Sequence, residues 1–270
     1  MRQCMHSRRG DDQHGLLAHH RYGALADALG DTPYTAIDLH HLRRGTCRVH
    51  LAGVLPDFDA AIIQIDDLPQ EVDGYGHDPA ALAALLAQVP GWDCVLVDAA
   101  VAEPLSALLE VRTGCRVRHY GDVAYHLPHG ALIPHEHPDV RLLDASDLPL
   151  FAPAPGELQG GGFGRPEALL DEGYAAGAIV EGQLVALAHT SAITSGHGDI
   201  GAYCLPAYRG RGYVTAAASL VAERLRDDGR IPIWSTGENN WASQRVAVKL
   251  GFEVVGQRVY LIPRQEQEEP

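Results

Sequence analysis

The fold of this chain is decided by the segment from Asp199 to Phe252, which reads DIGAYCLPAYRGRGYVTAAASL (199–220) and then VAERLRDDGRIPIWSTGENNWASQRVAVKLGF (221–252). A short apolar strand over 200–205 is followed by Pro206 and a turn with two glycines. The turn leads into an alanine-rich helix over 212–226, a strand over 231–236 and a second helix that ends at Gly251. This order of strand, helix, strand and helix is typical of an α/β protein.

The turn at 209–213, Arg-Gly-Arg-Gly-Tyr, has the features of an anion site. The first N–H groups of a helix have no partners within the helix and lie at the positive end of its dipole. Gly210 and Gly212 allow a ligand to approach the backbone, and Arg209 and Arg211 add positive charge. The turn therefore predicts a phosphate-binding site.

Two common phosphate-binding motifs are absent from this turn. A dinucleotide fold requires G-x-G-x-x-G, and a P-loop requires G-x-x-x-x-G-K-[ST]. Here Gly212 is followed by Tyr213-Val214-Thr215. The segment instead resembles the acyl-CoA-binding core of the GNAT acetyltransferase superfamily, in which [Q/R]-x-x-G-x-[G/A] follows one strand and N-x-x-[A/S] opens a helix that ends in G-F. Six residues match: Arg209, Gly212, Asn240, Ser243, Gly251 and Phe252.

The resemblance implies acetyl-CoA as the cofactor and a mixed, mostly antiparallel sheet flanked by helices. The residues expected to bind CoA are Cys204, Leu205, Arg209, Gly210, Arg211, Gly212, Tyr213, Val214, Thr215, Asn240 and Ser243. In this fold the pantetheine arm lies between two strands that separate at a bulge or a proline. Pro206 and Pro232 each remove a ladder donor, so we expect the separation near them and free N–H groups at Cys204 and Leu205. Those donors would polarise the thioester carbonyl.

The implied reaction is direct attack of a neutral amine on acetyl-CoA, which needs a base and an acid. Glu238 is the candidate base, with Asp199, His189 and His197 as alternatives, while Tyr203 and Ser243 are candidate donors to the departing sulfur and Tyr260 is a further acid. Two positions depart from the family. Val214 replaces the usual Gly or Ala, and Ala247 replaces a tyrosine that protonates the thiolate in many members.

Composition narrows the class of protein. The net charge of −14 disfavours nucleic acid as a general partner, and no apolar run is long enough to span a membrane. The polar N-terminus lacks the apolar run of a signal peptide, so we expect a cytoplasmic protein. The five cysteines are scattered without C-x-x-C spacing, and the histidines near the N-terminus (His14, His19, His20) have no partners at zinc spacing, so no metal site is expected. Cys204 is either a residue beside the thioester or a small buried side chain.

The N-terminal half is predicted to be a degenerate copy of the same fold. A frayed arm leads into a helix over 16–29, and strands, a helix capped by Asp78-Pro79 and a helix over 103–112 follow. A shift of 137 residues then aligns Ser106 with Ser243 and Gly114 with Gly251. The alternative is that any glycine-capped helix before a strand looks alike. The proposed copy has no Arg-Gly-x-Gly motif before its helix, and the only glycine-containing segment near that position is Asp73-Gly74-Tyr75-Gly76. We place the domains at 1–130 and 131–270, and the glycine-rich loop 153–166 is either a lid or a passive connector.

The sequence therefore predicts an acetyl-CoA-dependent N-acetyltransferase that acts on a small-molecule amine, as a monomer or homodimer. The wording L-P-A-Y-R-G-R-G with N-W-A-S and K-L-G-F resembles the zwittermicin A resistance branch. A non-catalytic acyl-CoA-binding or regulatory protein is the alternative, because of Ala247 and Val214. A ligase that uses aminoacyl-tRNA is disfavoured by the negative charge.

Overall fold

A computed structural model describes residues 14–264 of the chain. The predicted N-terminal arm and Cys4 fall largely or wholly outside this range. The helices are α1 (Tyr22–Leu29), α2 (Ala36–Arg44), α3 (Pro79–Leu86), α4 (Ala99–Thr113), α5 (Leu148–Phe151), α6 (Pro166–Glu172), α7 (Tyr213–Asp227) and α8 (Trp241–Leu250). The strands are β1 (His14–Leu16), β2 (Cys47–Gly53), β3 (Phe58–Ile65), β4 (Glu71–Gly76), β5 (Cys94–Asp98), β6 (Arg116–His126), β7 (Val140–Leu142), β8 (Ala175–Val180), β9 (Gln183–Ile193), β10 (His197–Cys204), β11 (Ile231–Gly237) and β12 (Glu253–Arg264).

All of these strands form one sheet with the order β1-β2-β3-β4-β5-β12-β6-β11-β10-β9-β8-β7. Neighbouring strands are antiparallel except for two parallel pairs, β4 with β5 and β10 with β11. The predicted fold class, a mostly antiparallel mixed sheet flanked by helices, is confirmed. No helix in the described range 14–264 is long and apolar enough to cross a membrane.

The sheet consists of two similar halves that exchange their last strands. Each half has a parallel pair joined by a helix, and then a helix and a final strand: β4-α3-β5-α4-β6 in the first and β10-α7-β11-α8-β12 in the second. β12 of the second half lies beside β5, and β6 of the first half lies beside β11. β6 and β12 pair with each other along their length. This arrangement is consistent with the predicted copy of the fold.

Alternation along the strands places a hydrophobic core on each face of the sheet. On the helical face of α3, α4, α7 and α8, one core forms around Leu105 and Val97 and another around Ala217 and Trp234. On the opposite face, α1 and α2 cover the first half around Leu39 and Ile63, while α5 and α6 cover the second half around Phe151 and Leu187. The face of α1, α2, α5 and α6 is called the acceptor face below.

Most elements predicted in the second half are present. The hairpin across Glu181-Gly182, the strands β10 and β11 and the helices α7 and α8 are found near their expected bounds. In the first half, Asp78 caps α3 through Ala80 N at 2.8 Å and Ala81 N at 3.2 Å, as predicted. The prediction missed α2, α6 and β4. Residues 71–76, which include the Asp73-Gly74-Tyr75-Gly76 segment compared above with Arg-Gly-x-Gly, form strand β4.

The loop 153–166 packs against the protein instead of extending into solvent. Leu158 and Phe163 are buried in the core on the acceptor face. His40 of α2 approaches this loop, with Nε2 3.0 Å from the carbonyl oxygen of Gly162 and Nδ1 3.3 Å from Ile193 N. Since a carbonyl only accepts, Nε2 carries a proton toward Gly162, while Nδ1 lies equally far from Ile193 O, at 3.3 Å. One helix of the first half thus holds the loop of the second.

Candidate active site

The parallel strands β10 and β11 separate partway along their length. They pair from His197 to Asp199 on β10 and from Ile231 to Ile233 on β11, and the pairing ends there. At this point Asp199 pairs with Ala192 of β9 and Ile200 pairs with Thr190, so Ser191 is an extra residue and forms a β-bulge. Between residues 200–204 and 234–237 the two strands leave a gap.

The gap is therefore marked by the bulge and not by the two prolines to which we had assigned it. Pro232 lies in the paired region, opposite Gly198. Its carbonyl accepts from Leu127 N at 2.9 Å, on the side away from β10, so the missing N–H of Pro232 does not interrupt the pairing with β10. Pro206 lies beyond the end of β10 and begins a 3-10 turn.

Helix α7 begins at the far end of this gap, next to the last residue of β10. Its N-cap is Gly212, whose φ of 87° is a conformation that favours glycine, and no side chain caps the helix. Ala216 N donates to Gly212 O at 3.0 Å, which leaves the N–H groups of the first helical turn, at Tyr213, Val214 and Thr215, directed out of the helix end. These groups form the kind of positive site that binds phosphate.

The side chains around the start of α7 form two groups, one exposed to solvent and one buried. Arg209 and Arg211 are exposed, and Arg211 lies over the ring of Tyr208. Tyr213 and Thr215 are buried below, and Val214 is half-buried. Tyr213 donates its hydroxyl to Asp139 at 3.3 Å. The two arginines therefore supply positive charge at the surface, while Tyr213 and Thr215 fix the helix through its core side and contribute only backbone to the site.

Cys204 and Leu205 at the end of β10 differ from the prediction in one respect. Leu205 N donates to Val185 O at 3.0 Å, so this donor is already used and the expectation that it is free was wrong. In an antiparallel pair alternate residues direct their N–H and C=O away from the partner, which points those of Cys204 toward the gap. Arg209 Nε donates to Cys204 O at 3.2 Å. Burial raises the pKa of the Cys204 thiol, which matches a small buried side chain.

Asn240 and Ser243 lie at the start of α8, on the other side of the gap. The Asn240 side chain caps the helix by accepting from Ser243 N at 3.2 Å. Ser243 Oγ in turn accepts from Trp234 Nε1 of β11 at 2.9 Å. Both residues thus fix α8 against β11, and Ser243 Oγ retains its own proton for donation.

The candidate acids and bases are not in one place. Glu238 follows β11, and its carboxylate lies 3.4 Å from Gln257 Nε2, beside Gly121. Gly121 pairs with Val259, which packs in the core under α3 and α4, so the Glu238 carboxylate lies on the helical face of the sheet. Tyr203 faces the opposite side, beside the core of α5 and α6. Ala247 is fully buried, so no acid is present at that position. Tyr260 lies on β12 opposite Tyr120, where burial raises its pKa.

A polar group lies on the acceptor face at the point where the strands separate. Asp199 is 6% exposed and accepts a hydrogen bond from Ser191 Oγ. Burial raises the pKa of Asp199 to about 6, and the hydrogen bond from Ser191 opposes part of this increase. His189 lies next to them on β9, 8% exposed, with Nδ1 2.9 Å from Thr190 O. Burial lowers the pKa of His189.

Asp122 of β6 contributes a second carboxylate to this face, from the first half of the chain. Burial raises the pKa of Asp122 to about 7, and the negative charge of Asp199 is the next cause. Sequence analysis missed Asp122 and Ser191, because neither lies in a motif. The only available signal was alternation on the strand over 116–127, where Asp122 lies on the face opposite Val123 and Tyr125.

The corresponding gap of the first half is filled by Arg258. The parallel strands β4 and β5 also separate after three paired residues, at Asp73 and Leu96. Arg258 of β12 enters there and donates to Asp73 Oδ1 at 2.6 Å, to Gly74 O at 3.1 Å and to Leu96 O at 3.0 Å. No side-chain hydrogen bond among the described residues joins 200–204 to 234–237 in the second half. The second gap therefore lacks the side-chain bridge that fills the first.

A comparison with protein-family models matches residues 170–253 to the acetyltransferase (GNAT) domain. This range includes β8 to α8 and therefore the gap, the start of α7 and Asn240. A search of curated proteins found no match. In the described part of the chain, no group of three or more His, Cys, Asp or Glu residues could hold a metal ion.

Solved structures with the same fold cover nearly the whole chain. A GCN5-related N-acetyltransferase-like protein from Streptococcus suis 89/1591 aligns with a TM-score of 0.65 and 21% identity, over 91% of this chain and 98% of its own. A putative acetyltransferase of the GNAT family from Novosphingobium aromaticivorans aligns with a TM-score of 0.57 and 18% identity, over 87% and 100%. A tandem GNAT protein from the clavulanic acid biosynthesis pathway aligns with a TM-score of 0.56 and 14% identity, over 92% and 97%. At these identities the likeness concerns the fold.

Proposed function

We propose that this chain is an acetyl-CoA-dependent N-acetyltransferase for a small-molecule amine, a proposal supported by the match of residues 170–253 to the acetyltransferase (GNAT) domain. The observation that carries the proposal is the uncapped start of α7 at Gly212, located at the mouth of the gap between β10 and β11. The amine class and the branch related to zwittermicin A resistance rest on sequence resemblance. A cytoplasmic location and the division at 130/131 also stay predictions.

The cofactor is proposed to bind with its pyrophosphate at the start of α7. The N–H groups of Tyr213, Val214 and Thr215 and the side chains of Arg209 and Arg211 surround that position. The pantetheine arm then extends along 200–204, where the outward N–H of Cys204 is available to it. Asn240 and Ser243 bound the other side of the gap. With both reactants held in contact, attack of the amine on the thioester avoids a large entropic cost.

Two substitutions test the cofactor site by calorimetry with CoA. Gly212→Asp introduces a carboxylate where the phosphates are expected, and we expect CoA affinity to fall by at least 100-fold. The matched control is Gly229→Asp at the other end of α7, which has a similar φ of 76° and no atom near the added Cβ. Arg209→Ala is expected to weaken binding about tenfold, the loss of one charge-assisted contact. Equal affinities for Gly212→Asp and Gly229→Asp would disprove the placement.

The non-catalytic alternative keeps one supporting observation, the buried Ala247 in place of an acid. Thiol release from acetyl-CoA with a panel of primary amines distinguishes the two. Binding without release for every amine would favour an acyl-CoA-binding protein, and no heat of CoA binding at all would contradict both functions.

A further inference from the structure

We propose that the acceptor amine reaches the thioester from the acceptor face, beside Gly201, and that Asp199 takes its proton while His189 and Ser191 position the two groups. This inference rests on the proposed function and adds to it the route of the substrate and the identity of the base. It replaces Glu238, the base expected from the sequence.

The position of the reacting end follows from the direction of the gap. The anion site lies at the Cys204 end, where α7 begins, so the other end of the cofactor points toward the place where the strands converge. That place is the junction of Asp199 and Ile200 beside the Ser191 bulge. The thioester is therefore expected within reach of Asp199, and not of the residues at the helix end.

The two faces of the sheet differ in access at this point. The helical face of the gap is covered by α7 and α8, whose side chains pack around Ile200 and Trp234. Ser235 of β11, between Trp234 and Thr236, faces the other way and is exposed. Gly160 of the loop 153–166 covers His189 on the acceptor face, so the amine enters beside the exposed Ser235, and Glu238 lies on the opposite face of the sheet.

Gly201 forms a notch between the polar side chains of that face. It pairs with His189, and a Cβ at Gly201 would lie 3.0 Å from His189 Nε2 and 3.7 Å from Ser191 Cβ. Because the carbonyl of Thr190 can only accept, His189 Nδ1 carries the proton and Nε2 presents a lone pair toward the notch. Ser191 donates to one carboxylate oxygen of Asp199. The His189 lone pair thus faces the space that the missing side chain leaves, and the Asp199 carboxylate lies on the same face, two residues earlier on β10.

Such a pair matches an ammonium group, which has only protons to donate. The ammonium passes one proton to the Asp199 carboxylate, and His189 Nε2 accepts a hydrogen bond from the remaining N–H. The nitrogen lone pair then forms the bond to the thioester carbon, the C–S bond breaks with its electron pair on sulfur, and the second nitrogen proton goes to the departing thiolate. Asp199 then returns its proton to solvent. The products are the amide, CoA thiol and one proton.

The charged and titratable groups around Asp199 come from three elements. β9 contributes His189 and Ser191, β6 contributes Asp122, and α2 contributes His40, whose pKa burial lowers. His40 contacts Gly162 and Ile193, and Asp122 is the carboxylate on this face whose pKa the charge of Asp199 raises.

The test measures CoA thiol release from acetyl-CoA with n-butylamine as the probe, together with calorimetry of acetyl-CoA. For Asp199→Asn we expect release to fall by about 100-fold or more, the usual contribution of a general base, with acetyl-CoA affinity within twofold of the wild type. The wild-type rate should rise between pH 5 and 7 with a midpoint near the pKa of Asp199, about 6, and the variant should lose this rise.

Two further variants separate position from folding. His189→Gln and Gly201→Ala are expected to raise KM for n-butylamine about tenfold, since each alters the notch. His189→Gln, which lies outside the segment 200–204, should also leave acetyl-CoA affinity unchanged. Gly161→Ala is the control, because its Cβ meets nothing within 4 Å and its backbone is not in the left-handed region. Full release by Asp199→Asn with the rise intact would overturn the inference, and so would a wild type that binds acetyl-CoA without any release. A wild type that does not bind acetyl-CoA would instead refute the proposed function.

Discussion

Arg258 accounts for the difference between the gap in the first half of the sheet and the gap in the second half. Its guanidinium is buried between β4 and β5, with Asp73 as ion-pair partner and two carbonyl oxygens as further acceptors. A buried arginine is tolerated only when its donors are satisfied, and here they are. Burial raises the pKa of Asp73, and the positive charge of Arg258 opposes that change. The pair occupies the space that a ligand would need in the first half.

Replacing Arg258 should therefore lower the free energy of unfolding far more than replacing an exposed arginine of the same sheet. Arg258→Ala leaves Asp73 buried without a partner, and we expect the free energy of unfolding to fall by about 3–5 kcal/mol. Arg118→Ala, on the exposed side of β6, should change it by less than about 0.5 kcal/mol. Urea unfolding followed by circular dichroism measures both. A loss under 1 kcal/mol for Arg258→Ala would mean that the pair is not a structural plug.

Ionised Asp199 destabilises the folded protein, in contrast to Arg258, which stabilises it. Its pKa in the folded protein, about 6, lies above the usual value of 3.8, so the ionised form costs folding energy. The cost is absent below pH 3.8 and fully present above about pH 6, where it amounts to about 3 kcal/mol. Asp199→Asn should consequently be at least as stable as the wild type at pH 7.5. A large loss of stability there would show that its effect on activity is a folding effect.

At the scale of elements, Asp31 connects the loop between α1 and α2 to the β9–β10 hairpin. It accepts from Thr194 Oγ1 at 2.9 Å, from Gly196 N at 2.9 Å and from His197 Nδ1 at 2.8 Å. His197, a candidate base from the sequence, is thereby engaged away from the gap. Burial alone would raise the pKa of Asp31, but the hydrogen bonds from His197, Thr194 and Gly196 lower it overall.

This contact predicts a dependence of stability on pH. Because the folded pKa is below the unfolded one, the ionised Asp31 stabilises the protein above its unfolded pKa, and this contribution is lost as the pH falls through the folded value. Asp31→Ala should lower stability by about 2 kcal/mol at pH 7 and by less at acid pH. Thermal melts from pH 3 to 7 measure this difference. Asp27→Ala, exposed on α1, is the control, and parallel curves for wild type and Asp31→Ala would contradict the role of the carboxylate.

Elements that depend on distant partners were the ones that sequence analysis missed. Strand β4 reads EVDGYG, with two glycines, two acidic residues and a single aliphatic side chain. It is a strand because β3 and β5 pair with it and Arg258 neutralises Asp73. Helix α2 buries Asp38 and His40, which no apolar periodicity would indicate, since Tyr75 and the backbone of the second half are their partners.

For the whole molecule, the exchange of β6 and β12 makes each half depend on the other. The predicted boundary at 130/131 assigns β6 to the first half, whereas the strands that pair with it, β11 and β12, belong to the second half. A cut at this boundary would therefore remove β6 from both of its neighbours. Removal of residues 1–130 would expose the backbone edge of β11 and the side chains that Tyr125 and Leu127 cover. An unpaired strand edge of this kind favours aggregation.

We therefore expect the fragment 131–270 to be unfolded or aggregated, and the fragment 115–270, which includes β6, to recover more of the native sheet. The measurement is amide dispersion in NMR spectra, with circular dichroism for strand content. The full chain should unfold in one cooperative transition. A native-like spectrum and CoA binding by 131–270 would show that the halves are independent.

The sequence by itself determined the local parts of the second half: the glycine turn at 209–213, the cap at Asn240, the hairpin at 181–182 and the resemblance that implied the cofactor. These depend on neighbouring residues, whose backbone preferences and spacing are visible in one chain segment. Only the tertiary structure decided which gap Arg258 fills, that Leu205 N is already bonded, that Ser191 binds Asp199, and that Asp122 lies on the same face of the sheet. Those outcomes depend on strand exchange and register between residues far apart in sequence, and no local preference encodes them.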